Sequence, residues 1–516
     1  MKKILVLCLT RFGDLIQTTP LLRGLRRDYP DALVNLAVLS RFKGILPLMK
    51  GFDNCFEFDK DEAARRIADG IDPLEAYQHM ESFVALLERD HYDLVINLTC
   101  DRMSAYLLSA TPAVSYSGLV AAGNDQRVIK GAWGNYLYSA TQAENRKLNR
   151  INLVDIFSRL GGVKPDGLPV ELHETTAGRD FAERFISEQD LAGTTLVGLQ
   201  MGASDAVRCW PLESFARLSD LLQSRPGVRT VLFGSPGEKA LADRAAARME
   251  RPPINMVGAT GIQELFSLVK RCSILVTNDT GTMHFAAAGG TPAVMLSVGP
   301  AFFYGTGPYS AGNLALQPRI GCSPCRYDFV CTNPLCSSII TVDAVHAACR
   351  FMLGEPVNPA EDFTGVGVYR SRFAADGFLE WESLCNDDER QSALSKHYER
   401  VWKAFLGENT APPPRPFLAV SAELKQLTGQ GMDLTARITK AARQKPVPVK
   451  QLSDLGDREA AVEAGIKRLG ECSPELAPVV DYLTLLRESI NDDRLQVIAQ
   501  QTHDLYRQGH RLASLL

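Results

Sequence analysis

The sequence predicts an α/β protein of two similar halves, each a parallel sheet flanked by helices, followed by an all-α C-terminal extension. Short runs rich in Leu, Val and Ile alternate with amphipathic segments up to about residue 355, which is typical of βαβ units. Strand signals vanish beyond that point, and helical patterns follow. A chain of 516 residues is also too long for one compact core.

Composition and charge exclude several classes of protein. Apolar residues make up 45% and charged residues 22% of the chain, which excludes a disordered or fibrous protein. A net charge of -4 argues against nucleic acid as a partner. No apolar window approaches the roughly 18 residues of a membrane span, and the run Ile4–Leu9 is too short for a signal peptide. We therefore expect no transmembrane segment and a cytoplasmic location.

Strands and helices alternate in both halves. The expected strands are Ile4–Leu9, Ala32–Ala37, Leu94–Leu98, Thr195–Leu199, Thr230–Phe233, Ile254–Val257, Ser273–Val276 and Pro292–Leu296. Helices are expected at Leu15–Asp28 and Pro73–Arg89. The Gly-, Asn- and Tyr-rich region 110–170 is expected to form loops that face a cleft.

Four segments follow from these patterns. Residues 1–180 and 181–355 form the two α/β domains, 356–416 connect them to the rest, and 417–516 form the helical extension. The Pro-rich stretch 411–416 is a stiff linker. The later helices are expected at Ser395–Leu406, Ala422–Ala442, Arg458–Gly470, Glu475–Ile490 and Leu495–Leu515.

The most specific motif is Asp279-Thr280-Gly281, which follows an expected strand, with His284 one turn into the next helix. This junction places free backbone N–H groups and the positive end of the helix dipole at one point, which suits a diphosphate. Gly281 allows close approach of the backbone, and His284 can donate to a phosphate or a ribose hydroxyl. The alternative is an ordinary turn with a capping aspartate.

The Asp-Thr-Gly-x-x-His segment resembles the donor-binding motif of glycosyltransferase family 9, the ADP-heptose heptosyltransferases. The N-terminus is similar to the family as well, through Ile4–Leu7, the segment Thr10–Asp14 and Thr19-Pro20-Leu21. The likeness covers about residues 1–350. It implies a GT-B fold of two facing Rossmann-like domains, the first for the acceptor and the second for the nucleotide-sugar donor.

In that family the aspartate of the Gly-Asp turn is taken as the general base, and Asp14 matches it. A carboxylate at the end of the first strand suits this role, because an acceptor hydroxyl must lose a proton as it attacks an anomeric carbon. A simple helix cap is the alternative. Arg11 and Gly13 of the same turn are expected at the acceptor site, with Arg11 as an anion partner.

The segment Gln200–Pro211 resembles the donor loop of the family, and Ser204 and Arg208 match its diphosphate-binding positions. The family often has Lys where Arg208 stands, and Arg offers a fixed fork to phosphate oxygens. We expect Trp210 and Pro211 to serve packing and helix initiation rather than ligand binding.

Further contacts are expected around the nucleotide and the acceptor. Glu238, in a Gly-rich turn, resembles the acidic residue of the family that holds ribose hydroxyls, and Thr260 is expected near the adenine. Lys43 and Arg102 are candidate contacts for an acidic acceptor. The resemblance implies that cations and helix N-termini rather than a metal stabilise the leaving diphosphate.

Cys322, Cys325, Cys331 and Cys336 form a C-x2-C-x5-C-x4-C group. Four thiols so close in sequence suit a structural tetrahedral site for zinc or iron, and such a cluster recurs in relatives of the family. Two disulfides or four reduced thiols are the alternatives. Other cysteines, namely Cys8, Cys100, Cys272 and Cys349, are expected to be buried in a reducing compartment.

The resemblance implies inverting transfer of a heptose or related sugar from an ADP-activated donor to a hydroxyl of lipopolysaccharide core or of a protein. The alternatives are a UDP-sugar-dependent GT-B transferase and a non-catalytic scaffold that uses the helical region. The joint presence of Asp14, Arg208, Asp279 and His284 favours catalysis. Homo-oligomerisation through the C-terminal helices and peripheral attachment to the inner face of the inner membrane are open expectations.

Overall fold

A computed structural model describes residues 1–62, 65, 73–122, 126–142, 145–326, 329–385, 389–408 and 418–516. Its strands are β1 Lys3–Cys8, β2 Leu33–Leu39, β3 Asn54–Phe58, β4 Tyr92–Asn97, β5 Ala113–Ala121, β6 Arg127–Lys130, β7 Thr195–Gln200, β8 Val228–Phe233, β9 Ile254–Asn255, β10 Ile274–Asn278, β11 Ala293–Leu296, β12 Leu314–Pro318, β13 Val366–Phe373 and β14 Leu379–Ser383.

Helices connect and follow these strands. They are α1 Phe12–Gln17, α2 Thr19–Asp28, α3 Pro73–Glu88, α4 Arg102–Ser109, α5 Ala132–Thr141, α6 Leu153–Leu160, α7 Thr176–Glu188, α8 Leu212–Gln223, α9 Lys239–Ala246, α10 Ile262–Val269, α11 Gly281–Gly289, α12 Phe303–Thr306, α13 Leu335–Ile339, α14 Val342–Met352, α15 Pro359–Asp362, α16 Glu389–Phe405, α17 Leu418–Ala442, α18 Val449–Cys472, α19 Ala477–Glu488 and α20 Leu495–Leu515. Short 3-10 segments include Ser40–Leu48, Ala206–Arg208 and Pro236–Glu238.

The chain divides into two compact units, and the first comprises residues 1–90 and 151–389. In this unit β1, β2 and β3 are parallel, with β2 between the other two. An eight-stranded sheet has the order β14-β13-β12-β11-β10-β7-β8-β9. Its strands from β12 to β9 run parallel, so the loops after β7, β8 and β10 emerge at one edge of the sheet.

The second unit comprises residues 91–150 and 390–516. Here β4 pairs with β5 in parallel, β5 pairs with β6 antiparallel, and the C-terminal helices pack on this segment. The side-chain amide of Asn145 donates to the carboxylate of Asp481 at 2.8 Å, and the hydroxyl of Ser139 donates to the carbonyl of Pro478 at 3.1 Å. The C-terminal helices therefore share one core with residues 91–150.

Within this unit α17 and α20 pack closely because small residues face large ones. A Cβ on Gly431 would lie 2.6 Å from the ring of Tyr506, and one on Gly509 would lie 2.8 Å from Thr428. The hydroxyl of Tyr506 also donates to the carboxylate of Glu459 on α18 at 2.6 Å. The five predicted C-terminal helices are all present, with α18 longer than expected.

Region 110–170 is not the loop region that we expected. It contains β5, β6, α5 and α6. The first half of β5 is exposed or half-buried, so it lacks the continuous apolar run that marks a buried parallel strand. Gly118 at φ 94° also interrupts its pattern, because a Cβ there would lie 2.3 Å from the carbonyl oxygen of Asn97.

The expectation that strands end near residue 355 is also wrong. β13 pairs antiparallel with β12, and β14 pairs antiparallel with β13, inside the predicted connecting segment 356–416. β14 alternates buried and more exposed residues, and the second half of β13 is mixed, so neither strand is the continuous apolar run that marks a buried parallel strand. The boundaries 1–180, 181–355, 356–416 and 417–516 stay a prediction.

Other expectations have mixed outcomes. Cys8, Cys272 and Cys349 are buried as expected, whereas Cys100 is exposed because it follows the end of β4.

The predicted helix 15–28 is two helices that meet at Thr18. The Pro-rich linker 411–416 lies outside the described residues. Among the residues that are described, no helix is long and apolar enough to cross a bilayer.

The aromatic cluster of the second unit gives a stability prediction. Trp402 is 3% exposed, and its ring centroid lies 5.2 Å from those of Tyr136 and Tyr482. Trp402→Ala should lower the free energy of unfolding by about 3–5 kcal/mol, because it leaves a cavity between these rings. Urea unfolding followed by circular dichroism measures this change. Val449→Ala, at a side chain 75% exposed, should change it by less than about 0.5 kcal/mol, and equal effects would contradict the cluster's role.

Candidate active site

Two strand-to-helix junctions of the first unit meet at the candidate site. One is the turn from β1 into α1, which carries Arg11, Gly13 and Asp14, and the other is the turn from β10 into α11, which carries Asp279 and Gly281. Both strands are almost wholly buried, and at the end of each the chain turns from its sheet into a helix.

Glycines allow the two helices to approach each other at their N-termini. A Cβ on Gly13 would lie 2.7 Å from Cδ2 of His284, and one on Gly281 would lie 2.5 Å from Cδ1 of Phe12. Neither distance is tolerated without movement of the neighbouring ring. The rings of Phe12 and Phe285 meet edge to face, with centroids 5.3 Å apart. Side chains larger than hydrogen at either glycine would separate α1 from α11.

Asp14 is half-buried at this contact. Its Oδ2 atom accepts from the backbone N–H of Arg11 at 3.3 Å. Burial raises the pKa of the Asp14 carboxyl above its ordinary value of 3.8, the nearby Asp279 raises it further, and Thr10 and Arg11 oppose the rise. Asp14 and Asp279, from two different junctions, thus lie near enough to interact electrostatically.

His284 is 4% exposed and lies beneath Gly13. Burial lowers the pKa of His284 from 6.5 to about 4, although Asp279 opposes that change. The imidazole is therefore neutral near pH 7. Its Nδ1 atom has no hydrogen-bond partner among the described residues, so it is available to a ligand at this junction.

Arg208 and Asp279 form a buried ion pair. Nη2 of Arg208 lies 2.5 Å from Oδ2 of Asp279 and also donates to its backbone carbonyl at 3.1 Å. Nη1 of Arg208 donates to the hydroxyl of Ser204 at 3.1 Å. The pairing fixes the guanidinium beside Thr280 and Gly281 at the N-terminus of α11, where the helix dipole favours anions.

Glu238 lies in the 3-10 segment after β8, beside the loop that follows β7. The backbone N–H and the hydroxyl of Ser235 donate to its Oε2 atom at 2.6 and 2.8 Å. A Cβ on Gly202 would lie 1.3 Å from its Oε1 atom, so the loop after β7 approaches this carboxylate directly. Thr260 is half-buried and follows Gly258, whose N–H donates to the carbonyl of Gly234 at 3.0 Å.

The expected acceptor contacts lie on three separate segments of the chain. Arg11 is exposed at the start of α1, and Lys43 is exposed on the 3-10 segment Ser40–Leu48. A Cβ on Gly44 would lie 2.9 Å from Ile262, so this segment packs against α10. Arg102 begins α4 in the second unit, and its Nη2 lies 3.4 Å from the hydroxyl of Tyr106.

The four-cysteine metal site is not formed in this structure. Cys322 is exposed, Cys325 and Cys331 are half-buried, and Cys336 is buried in the apolar core under β11 and β12. The residues that the structure describes, which include all four cysteines, contain no group of three potential ligands that could hold a metal ion. The structure therefore does not show the structural zinc or iron site, which stays a prediction.

Three residues of the site were missed or unassigned in the sequence. Asn278 accepts from the backbone N–H of Trp210 at 3.0 Å and donates to the carbonyl of Met201 at 2.7 Å, which ties β10 to the donor loop. Thr282 donates to Gln200 at 3.0 Å, and the Thr306 hydroxyl lies 3.4 Å from Oδ2 of Asp279. A polar residue at the buried end of a strand was the available signal for Asn278.

Trp210 and Pro211 serve packing and helix initiation, as expected. Trp210 is 2% exposed, its indole N–H donates to the carbonyl of Ile340 at 2.7 Å, and its ring meets Phe215 edge to face. Pro211 immediately precedes α8.

The glycine contact predicts a steric effect on stability. Gly13→Ala should lower the free energy of unfolding by about 1–3 kcal/mol, because its methyl group overlaps the His284 ring. Differential scanning fluorimetry or urea unfolding checks this. The control is Gly456→Ala, where no atom lies within 4 Å of the added Cβ. An unchanged Gly13→Ala protein would contradict the close contact of α1 and α11.

The buried histidine predicts a pH effect on stability. Because the pKa of His284 falls from 6.5 to about 4 on folding, its contribution is complete above pH 6.5 and is lost as pH falls towards 4. Between pH 7 and pH 5 the loss should be about 2 kcal/mol, and His284→Gln should abolish that part. Urea titrations at both pH values measure it, with the exposed His91→Gln as control. Identical pH dependences in wild type and His284→Gln would contradict the burial of this imidazole.

Comparisons with known proteins identify the relatives of this chain. The family described as "Glycosyltransferase family 9 (heptosyltransferase)" matches residues 80–332. Lipopolysaccharide heptosyltransferase 3 of Escherichia coli (strain K12) is 27% identical over 293 residues, which is 55% of this chain and 79% of that protein. Lipopolysaccharide heptosyltransferase 2 of Salmonella typhimurium is 32% identical over 306 residues, which is 57% of this chain and 82% of that protein.

A solved structure gives the fold. The glycosyl transferase family 9 protein of Veillonella parvula superposes with a TM-score of 0.53 at 22% sequence identity, and the match covers 69% of this chain and 98% of that chain. The expected fold class, GT-B with two Rossmann-like domains and an all-α C-terminal extension, is confirmed. With its likeness to the Salmonella protein over four fifths of that relative, the chain belongs to glycosyltransferase family 9 and is a glycosyltransferase.

Proposed function

We propose that this protein transfers a heptose from an ADP-activated donor to a hydroxyl of a lipopolysaccharide core acceptor, with inversion and with Asp14 as general base. One observation carries the proposal: a carboxylate of raised pKa at one junction lies within electrostatic range of a buried Arg208–Asp279 pair at the other. The names of the similar proteins support the sugar and the acceptor.

The proposed donor site is built from the loops after β7, β8 and β10. The diphosphate binds to Arg208, to Ser204 and to the free N–H groups of Thr280 and Gly281 at the start of α11. Neutral His284 donates to a phosphate oxygen or a ribose hydroxyl from beneath. Glu238 holds ribose hydroxyls, and Thr260 lies by the base.

The proposed reaction is a single displacement. The acceptor hydroxyl passes its proton to the Asp14 carboxylate while its oxygen bonds to the anomeric carbon of the heptose. The bond from that carbon to the diphosphate breaks, and its electron pair leaves with ADP. Attack opposite the leaving group inverts the anomeric centre. Arg208 and the dipole of α11 stabilise the charge that develops on the diphosphate. No step requires a catalytic metal.

The acceptor and the cellular location are part of the proposal. Arg11, Gly13 and Lys43 are candidate contacts for an acidic core sugar, and Arg102 is a candidate in the second unit. A cytoplasmic enzyme at the inner face of the inner membrane would meet both the nucleotide sugar and a lipid-linked core. A UDP-sugar donor is an outcome that the ligand-binding experiment below would reveal, and a protein is the alternative acceptor.

The donor assignment is tested by ligand binding. ADP should raise the melting temperature of the wild-type protein, because a ligand that binds only the native state stabilises it. Arg208→Ala should lose most of that shift, while Arg217→Ala, on α8, should keep it. A rise in melting temperature with UDP and none with ADP would contradict the ADP assignment. No rise with either nucleotide would favour a non-catalytic scaffold.

The base assignment is tested by substitution of Asp14. Asp14→Asn should slow heptose transfer to a deacylated lipopolysaccharide core by about 10²- to 10⁴-fold, because the acceptor hydroxyl loses its proton acceptor. The ADP-dependent melting shift should persist. Mass spectrometry of the product measures transfer, and the exposed Asp31→Asn is the matched control. Wild-type transfer by Asp14→Asn would exclude this residue as the base.

The raised pKa of Asp14 predicts the pH dependence of the rate. The base works as the carboxylate, so kcat/KM should fall as pH drops through the pKa of Asp14, which lies above 3.8. Asp279→Asn removes a negative neighbour, so the acid limb of the profile should move to lower pH. Profiles of kcat/KM for both proteins measure the direction. A limb that moves to higher pH in Asp279→Asn would contradict the coupling of the two carboxylates.

A further inference from the structure

The Arg208–Asp279 pair is buried against a segment that neither the sequence motifs nor the proposed reaction includes. This segment, residues 299–307, follows β11 and ends with α12. Both members of the ion pair are 7% exposed, so the direction of each side chain is set by its protein neighbours rather than by water.

Segment 299–307 touches both sides of the pair. Gly299 has φ 63°, and a Cβ there would lie 2.5 Å from the carbonyl oxygen of Val207, next to Arg208 in the donor loop. At its other end, the Thr306 hydroxyl lies 3.4 Å from Oδ2 of Asp279 and 3.4 Å from the carbonyl of Phe302. The Oδ2 atom thus accepts from Arg208 and lies within hydrogen-bond distance of the Thr306 hydroxyl.

The hairpin β13–β14 holds this segment in place. The ring of Phe303 stacks on Tyr369 of β13 with centroids 4.5 Å apart, and it meets Trp381 of β14 edge to face at 5.1 Å. A Cβ on Gly307 would lie 2.7 Å from Cζ2 of Trp381. Both strands lie beyond residue 332, where the family match ends.

We propose that Thr306 is a positioning residue of the donor site, held by the hairpin β13–β14, and that it acts through Asp279 on Arg208. Its hydroxyl fixes the Asp279 carboxylate in the orientation that keeps the planar guanidinium aimed at the diphosphate. An arginine depends on this orientation more than a lysine would, because the planar guanidinium binds two phosphate oxygens only when its plane is correctly aligned. Thr306 itself touches neither sugar nor phosphate.

The inference rests on the proposed function only in requiring a diphosphate ligand. It does not depend on which nucleoside or sugar that diphosphate carries. Pyrophosphate is therefore the probe for the inference, and the nucleotide and transfer experiments above are the probe for the function.

The test compares Thr306→Val with Thr306→Ser. Valine keeps the shape of threonine but removes the hydroxyl, and serine keeps the hydroxyl. Isothermal titration calorimetry of the full chain should show pyrophosphate and ADP binding weakened about 3- to 10-fold in Thr306→Val, the range that the net effect of one ordinary hydrogen bond supports. Thr306→Ser should bind within about 2-fold of wild type. The nucleoside that corresponds to the bound nucleotide carries no diphosphate, so every variant should bind it with wild-type affinity.

A double-mutant cycle with Arg208→Gln tests whether the effect passes through Arg208. If it does, Thr306→Val should have no further effect on pyrophosphate binding in the Arg208→Gln protein. Losses that multiply would show that Thr306 acts independently of Arg208 and would overturn the inference. Should Arg208→Gln fail to fold, the single variants still decide, because pyrophosphate binding by Thr306→Val equal to wild type overturns it too.

The outcomes separate this inference from the proposed function. Weakened pyrophosphate binding in Thr306→Val, restored in Thr306→Ser, supports the positioning role even if heptose transfer is not found. Conversely, the Thr306→Val protein could transfer heptose and bind pyrophosphate with wild-type affinity. That result would support the proposed function and contradict the positioning role of Thr306.

Discussion

The contact between α1 and α11 is the constraint on which the site depends. Only hydrogen atoms fit on Gly13 and Gly281, because His284 and Phe12 fill the space where side chains would lie. This contact joins the ends of two strands that belong to different sheets and are more than 250 residues apart in the sequence. It places Asp14 beside the N-terminus of α11 and buries a neutral imidazole between the two helices.

The charged side chains near that contact interact with one another. Asp279 pairs with Arg208 and at the same time raises the pKa of Asp14, so one carboxylate serves two neighbours. On the proposed function, a bound diphosphate adds negative charge near Asp14 and raises its pKa further. Asp14 then becomes a stronger base when the donor is in place. Burial makes these electrostatic interactions stronger than they would be in water. Small changes in the distances between the charged groups therefore change their interaction energies appreciably.

Local patterns carried the part of the site that could be predicted. Asp14, Arg208 and Asp279 each lie at a strand-to-helix junction, so a short stretch of sequence was enough to predict their surroundings. The proposed role of Thr306 could not be predicted from the sequence, because it depends on an aromatic contact with the hairpin β13–β14. The polar residues of that hairpin gave no clear strand signal. The union of the C-terminal helices with residues 91–150 likewise arises from distant contacts such as Asn145 with Asp481. Four cysteines are closely spaced in the sequence, yet the described residues contain no group of three potential metal ligands.

A crystal structure of the protein with ADP tests the central claim most directly. The account predicts the β-phosphate within hydrogen-bond distance of the Arg208 guanidinium and of a backbone N–H at the start of α11, with the Asp14 carboxylate facing the side where the sugar would attach. An ADP molecule bound elsewhere, or bound here with Asp14 turned away from the phosphate, would contradict it.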